Sequence, residues 1–137
     1  MLDFSIYLFY RAVTAIASAL PLRFLFSIGN AIGFAGWLLF PEYRQLARRN
    51  LETAFGEEKS PRELGRICRR HFQRLGSNLL CGFKLGSMTP AQLERYVEAE
   101  NAEAVHEVLR AGRPVIILFS HMGNWEVTGP LMPHYFH

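Results

Sequence analysis

An uncharged apolar stretch near the N-terminus sets the strongest constraint on how this chain folds. Phe24 to Phe40 is a run of seventeen consecutive residues without a charged side chain. A helix that spans a bilayer needs about 17–25 such residues, so this run lies at the short end of that range. Its glycines, Gly29, Gly33 and Gly36, are tolerated better in membrane helices than in soluble ones. We therefore predict that residues 1–40 form a membrane-anchoring segment built on a helix.

Two other interpretations of this segment remain open. The helix could lie in the membrane interface instead of crossing the bilayer. Ala17-Ser18-Ala19 is similar to a signal-peptidase site, but Arg11 leaves only a very short apolar stretch before it, and Asp3 stands where a signal peptide is basic. If the helix does span, the ten Lys and Arg residues from Pro41 to Lys84 place the following segment on the cytoplasmic side.

Residues 41–90 are predicted to form a basic helical segment. A first helix is expected from Tyr43 to Phe55, closed by Gly56. Ser60-Pro61-Arg62-Glu63 is a capping box with proline at the first helical position, so a second helix begins there. Its apolar residues recur at helical spacing and predict one buried side: Leu64, Ile67, Cys68, His71, Phe72, Leu75 and Leu79. Its arginines fall largely off that side: Arg62, Arg66, Arg69, Arg70 and Arg74.

The arginine face of this segment has two interpretations. It is either a solvated helix surface, or a cationic surface for anionic lipid headgroups or an acidic carrier protein. Nothing in the chain indicates nucleic-acid binding. We predict that His71 is a core histidine and not a ligand. Cys68 and Cys81, two cysteines in no metal-like spacing, are predicted to be free buried thiols.

Residues 91–137 are predicted to begin an α/β domain. Val115 to Phe119 is rich in β-branched residues and follows Gly112 and Pro114, which is typical of a buried parallel strand. A shorter strand is expected at Tyr96 to Ala99. Two strands are too few for a sheet buried on both faces, so we interpret the chain as the N-terminal portion of a longer enzyme. A complete small protein is the competing interpretation.

The candidate site directly follows the second predicted strand. His121 comes two residues after Phe119, at the carboxyl end of a strand, where sites of open α/β sheets form. On one continuous helix, His121 and Glu126 would lie about 140° apart. A turn with unusual backbone angles at Gly123, and a helix capped by Asn124, would let them meet. Glu126 would then hold one imidazole nitrogen and leave the other as a general base.

This motif and its surroundings resemble the bacterial lipid A biosynthesis acyltransferases, the lauroyl and myristoyl transferases. That family is a branch of the glycerolipid acyltransferase superfamily, which has an HxxxxD/E motif. The resemblance runs from the apolar N-terminus to about Thr128, and the HxxGNWE string is its specific part. Further upstream, four segments fit the family: Tyr43-Arg44, Arg49-Asn50-Leu51 with Ala54-Phe55, Ser60-Pro61-Arg62-Glu63-Leu64, and Val97-Glu98-Ala99-Glu100-Asn101.

The resemblance implies acyl transfer from a thioester to a hydroxyl of a lipid A precursor or related glycolipid. The donor would be acyl-carrier protein or, as the second choice, acyl-coenzyme A. His121 would act as the base and Glu126 would hold its tautomer. Gly123 and Asn124 would shape the turn and bring backbone N–H groups to the oxyanion. No metal or other cofactor is implied, and the catalytic part would lie on the cytoplasmic side of the bacterial inner membrane.

Two alternative functions stay open. The chain could be a non-catalytic module that binds membrane surfaces through its basic helix. It could also belong to a lipid hydrolase that uses a His/Glu pair with water as the acceptor. Whether the enzyme is an acyltransferase or a hydrolase, residues 1–137 alone are expected to be inactive.

Overall fold

The described part of the chain is helical. A computed structural model describes the backbone of residues 2–136, and every side chain in that range except those at positions 2, 3, 126 and 134. No strand is formed within residues 2–136, where the elements follow one another in this order: α1 Leu2–Ala19, α2 Leu22–Leu39, α3 Pro41–Phe55, α4 Pro61–Leu85, α5 Pro90–Leu93, α6 Ala102–Arg110, a 3₁₀-helix Trp125–Val127 and α7 Thr128–Phe136.

The prediction of an α/β fold is wrong. Val115 to Phe119 has no regular secondary structure, and Ile116 and Leu118 are 87% and 91% exposed. The expected strand at Tyr96 to Ala99 begins as a turn, in which the Val97 N–H donates to the Leu93 carbonyl at 3.0 Å. A strand needs a second strand to satisfy its backbone groups. Neither segment pairs with any other part of residues 2–136, so β propensity alone does not produce a sheet.

The closest packing in the molecule joins α2 and α4 as an antiparallel pair. A Cβ added at Gly33 would lie 2.1 Å from the Phe72 carbonyl oxygen, and one at Gly76 would lie 2.3 Å from the Gly29 carbonyl oxygen. The buried Ser77 hydroxyl donates to the Phe26 carbonyl at 2.9 Å. The two backbones approach this closely because small residues leave no side chain between them.

A cluster of apolar side chains joins α1, at the start of the described residues, to α7, at their end. Buried side chains from α1, α2, α4, α5 and α7 form one apolar core: Ala17, Leu25, Cys81, Leu85, Leu93 and Leu131. Since α7 contributes to it, the segment after residue 119 returns to α4. The 3₁₀-helix Trp125–Val127 also contacts α4. This return brings the predicted site motif beside the basic helix.

The local signals for α3 and α4 are confirmed. α3 ends at Phe55, and the Gly56 N–H donates to the Glu52 carbonyl. Both halves of the capping box form at Ser60, whose backbone N–H donates to Glu63 Oε2 at 2.9 Å. The corresponding box at Thr89 starts α5, which ends at Leu93. These signals act within one turn, so sequence order is enough to predict them.

The predicted buried side of α4 is partly wrong. Leu64 and Cys68 are buried as expected, but Leu75 and Leu79 are 47% and 63% exposed. The side of α4 that faces α2 is instead the small-residue side around Ser77, because close backbone packing needs small residues there. His71, which we predicted to lie in the core, is exposed. Cys68 and Cys81 are free and buried, as predicted.

One helix among the described residues is long and apolar enough to cross a membrane, judged by length and composition. It is α2, whose 18 residues have a mean hydropathy of 1.4 and are 17% buried inside the protein. α1 contains a shorter apolar helical stretch, Phe4–Ala19.

Candidate active site

The motif residues form a tight turn that leads into the 3₁₀-helix. The Met122 N–H donates to the Ser120 carbonyl at 2.8 Å. Gly123 has a φ of 62°, in the left-handed region that favours glycine, as predicted from the sequence. Asn124 directly precedes the 3₁₀-helix, and its carbonyl accepts from the Val127 N–H at 3.1 Å. The chain therefore reverses between His121 and Trp125.

The His121 imidazole is stacked on the Trp125 indole. Their ring centroids are 4.3 Å apart and the rings are 16° from parallel. Such a contact restrains the orientation of an otherwise exposed ring. Glu126, the predicted partner of His121, has its backbone in the 3₁₀-helix, but its side chain lies outside the described part of the structure. The pairing of His121 with Glu126 thus stays a prediction.

A cavity of about 550 Å³ lies between this turn and α4. The turn provides His121, Gly123 and Asn124, all of them predicted site residues, together with Met122 and Trp125. The opposite wall comes from α4: His71, Arg74, Leu75, Asn78 and Leu79. The structure thus places three of the four predicted site residues on one cavity.

Three polar residues of α4 face this cavity and were missed as site residues in the sequence. His71, Arg74 and Asn78 line it beside His121. The Arg74 guanidinium also lies over the Phe26 ring of α2, 4.8 Å from its centroid. Their spacing of three and four residues puts them on one helix face, which was the available signal. Nothing in the local sequence, however, indicates that α4 would lie against a motif about fifty residues later.

The cavity adjoins an apolar groove between α3 and α4. The groove has a volume of about 490 Å³ and shares His71 and Leu75 with the cavity at His121. Its remaining lining is mostly apolar: Tyr43, Leu46, Ala47, Asn50, Leu51, Ile67 and Phe72. The two spaces therefore lie side by side along α4, with His71 and Leu75 lining both.

A match to a family model identifies the family of this chain. The model for bacterial lipid A biosynthesis acyltransferases matches residues 1–136. The chain belongs to this family. The resemblance predicted from the HxxGNWE string is therefore confirmed. The comparison with curated proteins gave no match, and neither did the comparison with solved structures.

Family membership supports an acyltransferase-type function in general terms. A lipid A biosynthesis acyltransferase moves an acyl group from a donor to a lipid acceptor, and it works in association with a bacterial membrane. Within the described side chains, no group of three or more His, Cys, Asp or Glu residues is placed to hold a metal ion. The cavity at His121 holds three of the four predicted site residues and is therefore the candidate active site.

Proposed function

We propose that this chain carries the general base and part of the acyl-chain site of an O-acyltransferase acting on a lipid A precursor or related glycolipid. The observation that carries the proposal is the position of His121. His121 lines a cavity that shares His71 and Leu75 with the apolar groove between α3 and α4. A base next to an apolar channel is what transfer of a fatty acyl chain to a hydroxyl requires.

His121 acts on the acceptor hydroxyl. One imidazole nitrogen takes the proton as the hydroxyl oxygen attacks the thioester carbonyl carbon. The new carbon–oxygen bond forms, the carbon–sulfur bond breaks, and the departing thiolate takes the proton back from the imidazolium. Glu126 holds the second imidazole nitrogen in the correct tautomer. Backbone N–H groups around Gly123 and Asn124 stabilise the negative charge that develops on the carbonyl oxygen.

The other parts of the site have complementary roles. The acyl chain lies along the groove, where each buried methylene contributes about 0.8 kcal/mol. Arg74 is available to attract an anionic group of the donor or acceptor, because this residue lines the same cavity. The donor is acyl-carrier protein or acyl-coenzyme A. The site works on the cytoplasmic side of the inner membrane.

The test measures acyl transfer by membranes that contain the full reading frame. Labelled acyl-carrier protein, or labelled acyl-coenzyme A, is supplied together with a lipid A precursor. His121→Ala should lower the transfer rate by about 10²–10⁴-fold, the usual worth of a positioned general base. Glu126→Ala should also lower it. His106→Ala is the matched control, since His106 packs on Phe136 at 5.3 Å and lies outside the cavity.

The outcomes separate the alternatives. Labelled glycolipid that is lost in the His121 and Glu126 variants, but kept in the His106 variant, supports the acyltransferase. Release of free fatty acid without labelled lipid indicates a hydrolase instead. Transfer that persists in His121→Ala contradicts the assignment of the base.

A further inference from the structure

The packing of α2 on α4 restricts how α2 can meet a membrane. α2 buries the stripe formed by Leu25, Gly29 and Gly33, and this stripe faces α4. The contact extends from Leu22 to Gly33 on α2 and from Phe72 to Cys81 on α4, since the Cys81 thiol lies 4.0 Å from the Leu22 carbonyl and Gly33 meets Phe72. α2 therefore cannot enter a bilayer as a single helix without α4.

α4 carries arginines at the level of the middle of α2. Gly76 of α4 meets both Gly29 and Gly33 and so marks that middle. With a rise of 1.5 Å per residue, Arg74 lies about 3 Å and Arg70 about 9 Å from Gly76 along the helix axis. The Arg48–Glu52 and Arg110–Glu103 ion pairs of the described residues include neither of these two arginines.

A crossing α2 would bring these charges into the hydrocarbon. Each half of the hydrocarbon layer is about 15 Å thick, so Arg74 and Arg70 would both lie within it if Gly76 stood at the midplane. Charged side chains at that depth are strongly unfavourable unless they are paired or face water. The packing of α2 on α4 therefore argues against a bilayer-crossing position for α2.

The uncovered faces of α1 and α2 are apolar and rich in aromatic residues. On α1, Phe4 and Phe9 are 65% and 70% exposed, and on α2 the most exposed large side chain is Leu39, at 72%. The basic helix α4 occupies the opposite side of α2. The apolar faces of α1 and α2, together with the cationic helix α4 on the opposite side, have the composition of an interfacial anchor on an anionic bilayer.

We propose that α1 and α2 lie within one leaflet of an anionic phospholipid bilayer, with α4 at the level of the headgroups, and that α2 does not cross the membrane. The apolar faces contact acyl chains, and the arginines of α4 contact lipid phosphates. Because Arg74 lines the cavity at His121, the candidate active site opens at headgroup height, where a lipid acceptor presents its hydroxyl groups. This inference concerns the anchor alone and does not depend on the chemistry proposed for His121.

The test locates single thiols in the full-length protein. One variant has a cysteine in a hydrophilic tag ahead of Met1, a second is Arg23→Cys at the start of α2, and a third is Glu57→Cys between α3 and α4. A membrane-impermeant maleimide is added to right-side-out and to inverted inner-membrane vesicles. Protein without an added thiol is the background control, since Cys68 and Cys81 are buried. Parallel samples are washed with 1 M salt and with alkaline carbonate.

An anchor within one leaflet predicts that all three thiols react in the same vesicle orientation and that the protein survives the salt wash. A tag or an Arg23→Cys thiol that reacts in the opposite orientation to Glu57→Cys would show that α2 crosses, and so overturn the proposal. An Arg23→Cys thiol that reacts in neither orientation overturns the shallow position. Release by salt alone overturns the insertion of the apolar faces and indicates that they contact protein. The same three thiols are labelled in the His121→Ala background. A failure of the acyl-transfer chemistry is thereby distinguished from a failure of the anchor.

Discussion

At the scale of single residues, the site depends on contacts between neighbours in the chain. Trp125 stacks on His121 four residues earlier, and Gly123 between them provides the positive φ that lets the chain turn back. The contact of Trp125 is with the imidazole itself, so Trp125 is placed to position His121.

Replacing Trp125 tests this role. A stacked aromatic pair is worth about 0.5–1.5 kcal/mol, which corresponds to about a 2- to 12-fold change in rate. Trp125→Ala should lower kcat by that factor and leave KM nearly unchanged, because Trp125 does not line the groove proposed for the acyl chain. Trp125→Phe keeps an aromatic face and should retain most of the activity. If kcat/KM falls in both variants only because KM rises, a positioning role is contradicted.

The start of α4 predicts a pH dependence of stability. Hydrogen bonds from the Ser60 side chain and then from its backbone N–H lower the pKa of Glu63 below its ordinary value. A carboxyl whose pKa is lowered by folding stabilises the protein above its unfolded-state pKa, and this contribution is lost as the pH falls through the folded-state pKa. Ser60→Ala should therefore cost more stability at pH 7 than at pH 3.

Urea unfolding followed by circular dichroism measures this difference. Glu63→Gln is the matched control, because an amide can accept the same bonds and does not titrate. The penalty of Ser60→Ala in the Glu63→Gln background should be independent of pH over this range. An equal penalty for Ser60→Ala at both pH values in the native background would contradict the cause given for the pKa of Glu63.

At the scale of elements, the pairing of α2 with α4 depends on the absence of side chains at three glycines. Gly29, Gly33 and Gly76 each lie where a Cβ would meet the backbone of the opposite helix at 2.5 Å or less. Backbone atoms cannot rotate away as the end of a side chain can. Any larger residue therefore separates the helices and weakens the dispersion contacts along their interface.

Gly33→Ala should destabilise the protein by about 1–3 kcal/mol, the range found for overpacked cores. Gly65→Ala is the matched control on α4, since nothing lies within 4 Å of the added Cβ. That change should stabilise the protein by about 0.4–1 kcal/mol through the entropy of the unfolded chain. Thermal unfolding of both variants measures the contrast. A stability loss of equal size in the two variants would show that the close approach at Gly33 is not the cause.

At the scale of the whole molecule, α4 is the element that the other parts share. It contacts α1, α2, α3 and the 3₁₀-helix of the motif. Lys84 near its end donates to the Ser18 and Leu20 carbonyls at 2.8 and 2.7 Å, which joins α4 to the α1–α2 connection. The anchor, the groove and the candidate site are consequently parts of one helical unit.

The two buried thiols report whether this unit opens as a whole. Burial raises the pKa of the Cys68 and Cys81 thiols, which lowers the fraction of reactive thiolate at neutral pH. Cys68 lies beside Arg44 of α3, and Cys81 lies beside Leu22 of α2. Both thiols should react slowly with a maleimide in the native protein, and they should become reactive together at the midpoint of urea unfolding. Reaction of one thiol well below that midpoint would show that one end of α4 opens separately.

Local features of this protein were predictable from its sequence, and features that need distant partners were not. The cap at Ser60, the end of α3 and the turn at Gly123 depend on residues at most four apart. The apolar side of α4 was assigned partly to the wrong residues, because hydropathy marks Leu75 and Leu79 while the packing requires glycine and serine. The cavity wall at His71 and Arg74 was missed for the same reason.

The sequence by itself determined the helical N-terminal half, the glycine turn after residue 119 and the family, since these depend on local backbone preferences and a specific string of residues. Only the tertiary structure decided that Val115 to Phe119 forms no strand, because a strand exists only where another segment offers its hydrogen bonds. It also decided that α4 lies between the anchor and the motif. How closely the backbones of α2 and α4 pack determines which charges of α4 approach the apolar helix α2. That distance depends on both helices together and cannot be read from either segment alone.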